Sequence, residues 1–148
     1  MKIIKEFNSK KILSLFWDQD GSPYFNAKGM AVGVFSGCFP FFGFQTLLGI
    51  FFARLINGNL ILAAIGTWIS NPFTYLPLYI FNFKIGSLFF KNQSESISFN
   101  ELIGADLWSQ GWIFTSRLLI GSFLVGLFLA FFIGFLTFYL YKIRAQKK

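Results

Sequence analysis

Residues 29–83 read GMAVGVFSGCFPFFGFQTLLGIFFARLINGNLILAAIGTWISNPFTYLPLYIFNF, and this stretch decides the fold class. Arg54 is its only charge, and Pro40, Pro72 and Pro77 lie inside it. A second run, Leu118 to Tyr141, carries no charge at all. A helix needs about 20 apolar residues to cross the roughly 30 Å hydrocarbon core of a bilayer, and a soluble core has no use for so much apolar sequence. The pattern predicts an all-α integral membrane protein. It has two proline-broken hydrophobic segments, at least one of them re-entrant, one continuous C-terminal transmembrane helix and an N-terminal interfacial helix.

Before this stretch, residues 1–21 place Ile3, Ile4, Phe7, Ile12, Leu13, Phe16 and Trp17 near helical spacing among four lysines, as suits a basic amphipathic segment lying in the membrane interface. Ile12 to Trp17 is too short for the apolar region of a signal peptide, and Asp18 and Asp20 follow where cleavage requires small residues. Residues 22–148 then form a single membrane domain. Ser22-Pro23 offers an N-cap followed by proline at the first helical position, so a helix starts there. Pro40 and Gly43 break it, a second piece runs from Phe44 to Ile56, and Asn57-Gly58-Asn59 turns the chain. The first broken segment is therefore 23–56. The second, 60–83, is interrupted at Asn71-Pro72 and again at Pro77.

A polar loop is expected over 84–117, with Trp108 and Trp112 on one face of an interfacial helix. The transmembrane helix 118–141 and a basic tail, 142–148, complete the chain. Gly121, Gly126 and Gly134 allow close helix contact, although Gly-x-x-x-Gly spacing is absent from that helix. Setting Pro40 on Pro72 reveals an internal echo: apolar half, small or polar residues, Pro-Phe, second apolar half, then a basic residue, Arg54 or Lys84. Interrupted helices facing one another at mid-membrane are a transporter arrangement.

Both termini are basic, and cytoplasmic loops are enriched in Lys and Arg, so both ends are expected inside and an even number of crossings is required. With three hydrophobic segments visible, the simplest threading makes residues 29–56 a re-entrant hairpin tipped at Pro40 to Gly43. The competing threading has three ordinary crossings and one basic terminus outside.

Composition excludes several functions. The chain has no histidine and one cysteine, Cys38, in an apolar run. Disulfide frameworks, Cys/His zinc sites and His-based acid/base catalysis fail on inventory, and no nucleophile/base pair can be assembled, so the reading is not an enzyme, with no cofactor and no metal. The basic residues flank apolar segments rather than forming one soluble face, which argues for anionic lipid and against nucleic acid as partner. Candidate ligand-binding residues are the polar groups around the breaks: Gln45 and Thr46 after the first, Thr67, Trp68, Asn71, Thr74 and Tyr75 around the second, and Arg54, whose planar fork suits a lipid phosphate. The ordinary role of such side chains is to cap half-helices and bond across the bundle, and that of Arg54 is to reach the headgroups. Pro40, Gly43, Pro72 and Pro77 are the expected structural breaks.

Ser22-Pro23, Gly33 to Gly37, Phe39-Pro-Phe-Phe-Gly-Phe-Gln-Thr46, Asn57-Gly-Asn59, Gly66-Thr-Trp-Ile-Ser-Asn-Pro-Phe-Thr74 and Pro77-Leu-Tyr79 resemble the bacterial membrane family called domain of unknown function 2062. The resemblance implies a small inner-membrane protein and a membrane-associated enzyme partner such as a glycosyltransferase, since relatives are sometimes joined to such domains. It implies no activity. Two readings remain. In the first, a homo-oligomer binds or translocates a lipid or lipid-linked ligand at a notch between broken helices; in the second, a structural or adaptor subunit anchors a peripheral partner.

Overall fold

A computed structural model describes residues 19–41, 43–90 and 107–146, with the side chains of 107–110 left out. All regular elements among them are helical. Residues 1–18, where the interfacial helix is expected, lie outside the described residues, as do residues 91–106 of the expected polar loop and the side chain of Trp108.

Helix α1 spans Pro23–Gly37. Ser22 caps it through its hydroxyl, which accepts from Phe25 N at 3.1 Å, and Pro23 occupies the first turn where its missing N–H costs nothing. The chain then bends through Cys38 to Gly43. Gly43 has φ +82°, a conformation that side chains rarely adopt and that glycine takes freely. Helix α2, Phe44–Leu55, runs back beside α1, and Lys28 Nζ donates to Ile56 C=O at 2.6 Å where the hairpin closes. Asn57, with φ +51°, and Gly58 turn the chain again, and Asn59 Oδ1 caps α3, Leu60–Gly66, by accepting from Ile61 N and Leu62 N. A single 3-10 turn, Thr67–Ile69, extends α3 to the second break. Helix α4, Tyr75–Ser87, carries on from there, and α5 covers Leu107–Gln146.

Glycine contacts fix how these helices lie. A Cβ on Gly29 would collide with Asn59 O, one on Gly33 with Ala63 O, and one on Gly37 would fall 2.9 Å from Thr67 O. Pairing at a constant offset of 30 makes α1 and α3 parallel, their backbones touching along a Gly-x-x-x-Gly-x-x-x-Gly face. Helix α5 runs antiparallel to both α1 and α4. Gly134 faces Ala27 and Ala31, Gly126 faces Phe35 and Cys38, and Gly121 faces Asn82 and Gly86. Met30, Val34 and Leu62 make the small apolar core between α1, α3 and α5. Arranged along α5, the start of α1 lies beside Tyr141, the hairpin tip beside residues 122–126, and the end of α4 beside Arg117. The α1–α2 hairpin thus reaches halfway along α5 and returns, whereas α3 and α4 in succession run from the level of Gly134 to that of Arg117, about 26 Å of α5 at the helical rise.

Two expectations are corrected. Pro77 does not interrupt a helix: it sits in the first turn of α4, whose N–H groups have no intrahelical partner, so proline is tolerated there. The C-terminal helix is longer at both ends than 118–141, and residues 107–117 of the expected loop are helical because Leu107, Trp112, Ile113 and Phe114 continue its apolar pattern. Gly-x-x-x-Gly spacing, absent from the last helix as read from the sequence, is present in α1. Among the described residues one helix, over Gly111–Gln146, is long and apolar enough to cross a membrane.

Gly33→Ala should be costly and Gly111→Ala should not, since a Cβ at Gly111 meets nothing within 4 Å among the described residues whereas one at Gly33 meets a main-chain carbonyl. The expected difference is about 1–3 kcal/mol, the usual range for overpacking. Thermal melts of the two purified variants in detergent measure it, and equal midpoints would refute the backbone contact between α1 and α3.

Candidate functional site

The two breaks meet. Where α1 ends, Phe39 C=O has lost the helical donor four residues on, because Pro40, Phe41 and Gly43 do not continue the helix. It accepts instead from Gln45 Nε2 at 2.6 Å and from Tyr79 OH at 3.1 Å, so the first residues of α2 and the second turn of α4 both hold the end of α1. Gln45 Nε2 also donates to Tyr79 OH at 2.8 Å, and Gln45 Oε1 accepts from Ser70 Oγ at 2.9 Å. Every polar atom of the Gln45 amide is therefore engaged, and the residue is 7% exposed. One turn further, Thr67 Oγ1 donates to Ala64 C=O at 2.7 Å, which leaves Thr46 as donor in the 3.0 Å contact between the two threonine hydroxyls.

The second break is closed locally. Asn71 Oδ1 accepts from Phe73 N at 2.9 Å and Thr74 N at 3.1 Å. Thr74 Oγ1 accepts from Asn71 N and donates to Ile69 C=O at 2.7 Å, so a short polar loop fastens the 3-10 turn to the start of α4.

Of the candidate residues, Gln45, Thr46 and Thr67 are brought together and spent on one another and their neighbours. Asn71 and Thr74 are adjacent to them but face outward with Trp68, which is exposed. Tyr75 is half-buried with its ring 6.1 Å from that of Tyr79. Arg54 lies elsewhere. It is exposed in the last turn of α2, about 14 Å of helix from Gln45, at the end of the molecule where α1 begins and α5 finishes. Lys28, Lys142 and Arg144 share that end.

Several polar residues escape a reading of the sequence alone. Asn82 is fully buried and donates to Cys38 C=O and Ser122 Oγ, each at 3.0 Å, tying the hairpin tip to α5. Asn59 Nδ2 donates to Asn26 Oδ1 at 2.7 Å between α1 and α3. A lone Asn in Ile80-Phe-Asn-Phe83, and another opening α1, are the available signals: an amide in an apolar run needs a partner. Polar groups such as Asn26, Asn82 and Ser122 are buried while Phe51, Phe73, Phe128 and Phe131 are exposed, which reverses the usual distribution in water. An apolar groove of about 630 Å³ between α4 and α5 is lined by Leu78, Phe81, Ile85, Leu124 and Phe128, among others. Among the described residues no group of acidic, Cys or His side chains is arranged to hold a metal ion.

Among known proteins, a family model described as an uncharacterized protein conserved in bacteria (DUF2062) matches residues 9–148. No curated protein and no solved structure matches.

Gln45→Leu removes the donors to Phe39 C=O and Tyr79 and the acceptor for Ser70, with an expected cost of about 1–3 kcal/mol. Ser70→Ala made in that background should cost less than it does alone, because its acceptor on Gln45 has gone and only its contact with Tyr79 remains. Additive shifts in thermal melts of the two single variants and the double variant would rule out the shared clasp.

Proposed function

We propose that this chain, which belongs to the bacterial DUF2062 family, is a multi-pass inner-membrane protein that binds a lipid or lipid-linked ligand bearing an anionic headgroup on the outer face of α2. The α1–α2 hairpin enters from the cytoplasmic side and turns back at mid-depth, α3 with α4 crosses, and α5 returns. Buried amides under an apolar exterior support immersion in lipid. Lys28, Arg54, Lys142 and Arg144 at one end, joined in sequence to the lysine-rich N-terminus, support that end as cytoplasmic, since Lys and Arg are enriched there.

The ligand assignment is carried by Arg54. It stands three and seven residues beyond Phe51 and Leu47, hence on their side of the helix, and Phe44, Leu47, Phe51 and Leu55 form an exposed apolar stripe. From Arg54 to the hairpin tip is about 14 Å, close to half of a roughly 30 Å hydrocarbon core. One leaflet's lipid fits this face: a phosphate on the guanidinium, its chain along the stripe. The notch expected between the breaks is occupied by the protein's own Gln45, Ser70 and Tyr79, which moves the ligand reading outward to α2. The adaptor reading draws on the same basic end, where an anionic peripheral partner and anionic headgroups would compete.

Two measurements test this. In a Cys38→Ala background, single cysteines at Gln19 and Ala145 should react with an impermeant maleimide only from the cytoplasmic side, and one at Gln93 only from outside. Labelling of the termini on opposite sides would sink the threading. Arg54→Ala should reduce retention of anionic phospholipid in native mass spectrometry severalfold, Arg54→Lys should restore it in part, and Lys84→Ala at the other end should leave it unchanged. Equal retention by Arg54→Ala and the wild-type chain would remove the α2 site.

A further inference from the structure

The second break leaves main chain uncovered at the level of the hairpin tip. Ser70 is fixed to Gln45 there, yet Pro72 and Thr74 are exposed and Phe73 is 91% exposed, the most protruding of the large apolar side chains among the described residues. Its carbonyl lacks the donor that the next helical turn normally supplies, because the residue four positions on is Pro77, which has no N–H. Non-helical backbone at membrane depth is tolerated only where protein or a water-filled cavity covers it.

Resting on the membrane reading above, we propose that a second copy of this chain covers the turn 70–74, forming a two-fold dimer through it. The turn is self-complementary in hydrogen bonding. Asn71 Nδ2 makes one contact, to Trp68 C=O at a long 3.4 Å, and an amide nitrogen has two hydrogens to give. Two residues away stands the Phe73 carbonyl, an acceptor without a helical donor. Across a two-fold axis, Asn71 of each copy donates to the Phe73 carbonyl of the other, the reciprocal pattern that an isologous contact requires. Phe73 and Trp68 of each copy then pack around the pair. The remaining segments of the same chain suit the position poorly. Residues 91–106 carry Lys91, Glu95, Glu101 and Asp106, and residues 1–18 carry Lys2, Lys5, Glu6, Lys10, Lys11 and Asp18, charges that resist transfer to mid-depth. Polar side chains that bond between helices are a recognised source of association in lipid.

The test is disulfide cross-linking in native membranes of the full chain carrying Cys38→Ala. Phe73→Cys should give a covalent dimer in high yield with an oxidant that enters the bilayer, and Leu47→Cys, exposed on α2, should give little. Asn71→Asp keeps the oxygen that accepts from Phe73 N and Thr74 N but loses the amide hydrogens, and should reduce the Phe73→Cys cross-link severalfold. A melt of this variant checks that it folds, and the cross-linking contrast between positions 73 and 47 stands without it. Equal yields at the two positions, or a cysteine at 73 cross-linked to a protein of another mass, would overturn the dimer. Labelling at 73 by an impermeant maleimide would overturn both the dimer and the buried depth of the turn. Protection there without cross-linking would overturn the dimer alone and leave the threading intact.

Discussion

A main-chain carbonyl at the end of a helix has to find a donor, and in surroundings without water only the protein can supply one. At the end of α1 this requirement falls on Cys38 and Phe39, whose carbonyls look into the middle of the bundle. Asn82 serves the first, while Gln45 and Tyr79 serve the second. Those three side chains come from α4 and α2, so satisfying two oxygens joins three helices at one level, and the Asn82–Ser122 contact adds α5. The positions of α2 and α4 relative to α1 are set by where the donors must stand.

Close backbone approach is the second constraint, and it reinforces the first. Glycines at 29, 33 and 37 let α3 lie against α1 without intervening side chains, so the end of α3 arrives beside the end of α1 and Ser70 comes within reach of Gln45. In lipid, apolar side chains gain little by meeting each other rather than acyl chains, and such contacts depend on packing and hydrogen bonds. On the proposed arrangement this explains why the shared apolar core is small while so many phenylalanines face outward.

The helices and their turns are legible in the sequence because capping and proline chemistry is local. Ser22-Pro23, Pro40 with Gly43, Asn57-Gly58-Asn59 and Asn71-Pro72 each state their consequence within four residues. Pro77 misleads because a proline reads as a break unless the start of its helix is known, and that start is set by Asn71 and Thr74 just before it. The polar partnerships are legible only as a set. Gln45, Thr46 and Thr67 can be recognised as buried polar groups near breaks, but which pairs with which depends on the α1–α3 register. Asn82 gives little signal, since it lies eleven residues beyond Asn71 in a piece otherwise without polar punctuation. Arg54 stands out as the lone charge in its stretch, and the helical piece that returns from Pro40 to Gly43 already places it a helix length from the first break.

That folding back distinguishes the two halves of the internal echo. Both α1 and α3 run in the same direction, side by side, and each leads into a Pro-Phe pair at the same level. Beyond those pairs the chain takes two different courses, for reasons that lie in the adjoining residues. After Pro40, Gly43 adopts positive φ and no side chain caps the new helix, so the chain can reverse and α2 returns along α1. After Ser70, Asn71 and Thr74 hold four successive residues in a bonded turn and aim α4 onward, where Gly86 and Gly121 let it settle on α5. One sequence device thus yields a hairpin in one case and a continued crossing in the other. The residues that decide between them, Gly43 and Asn71, flank the clasp in which Gln45 of the first half meets Ser70 and Tyr79 of the second.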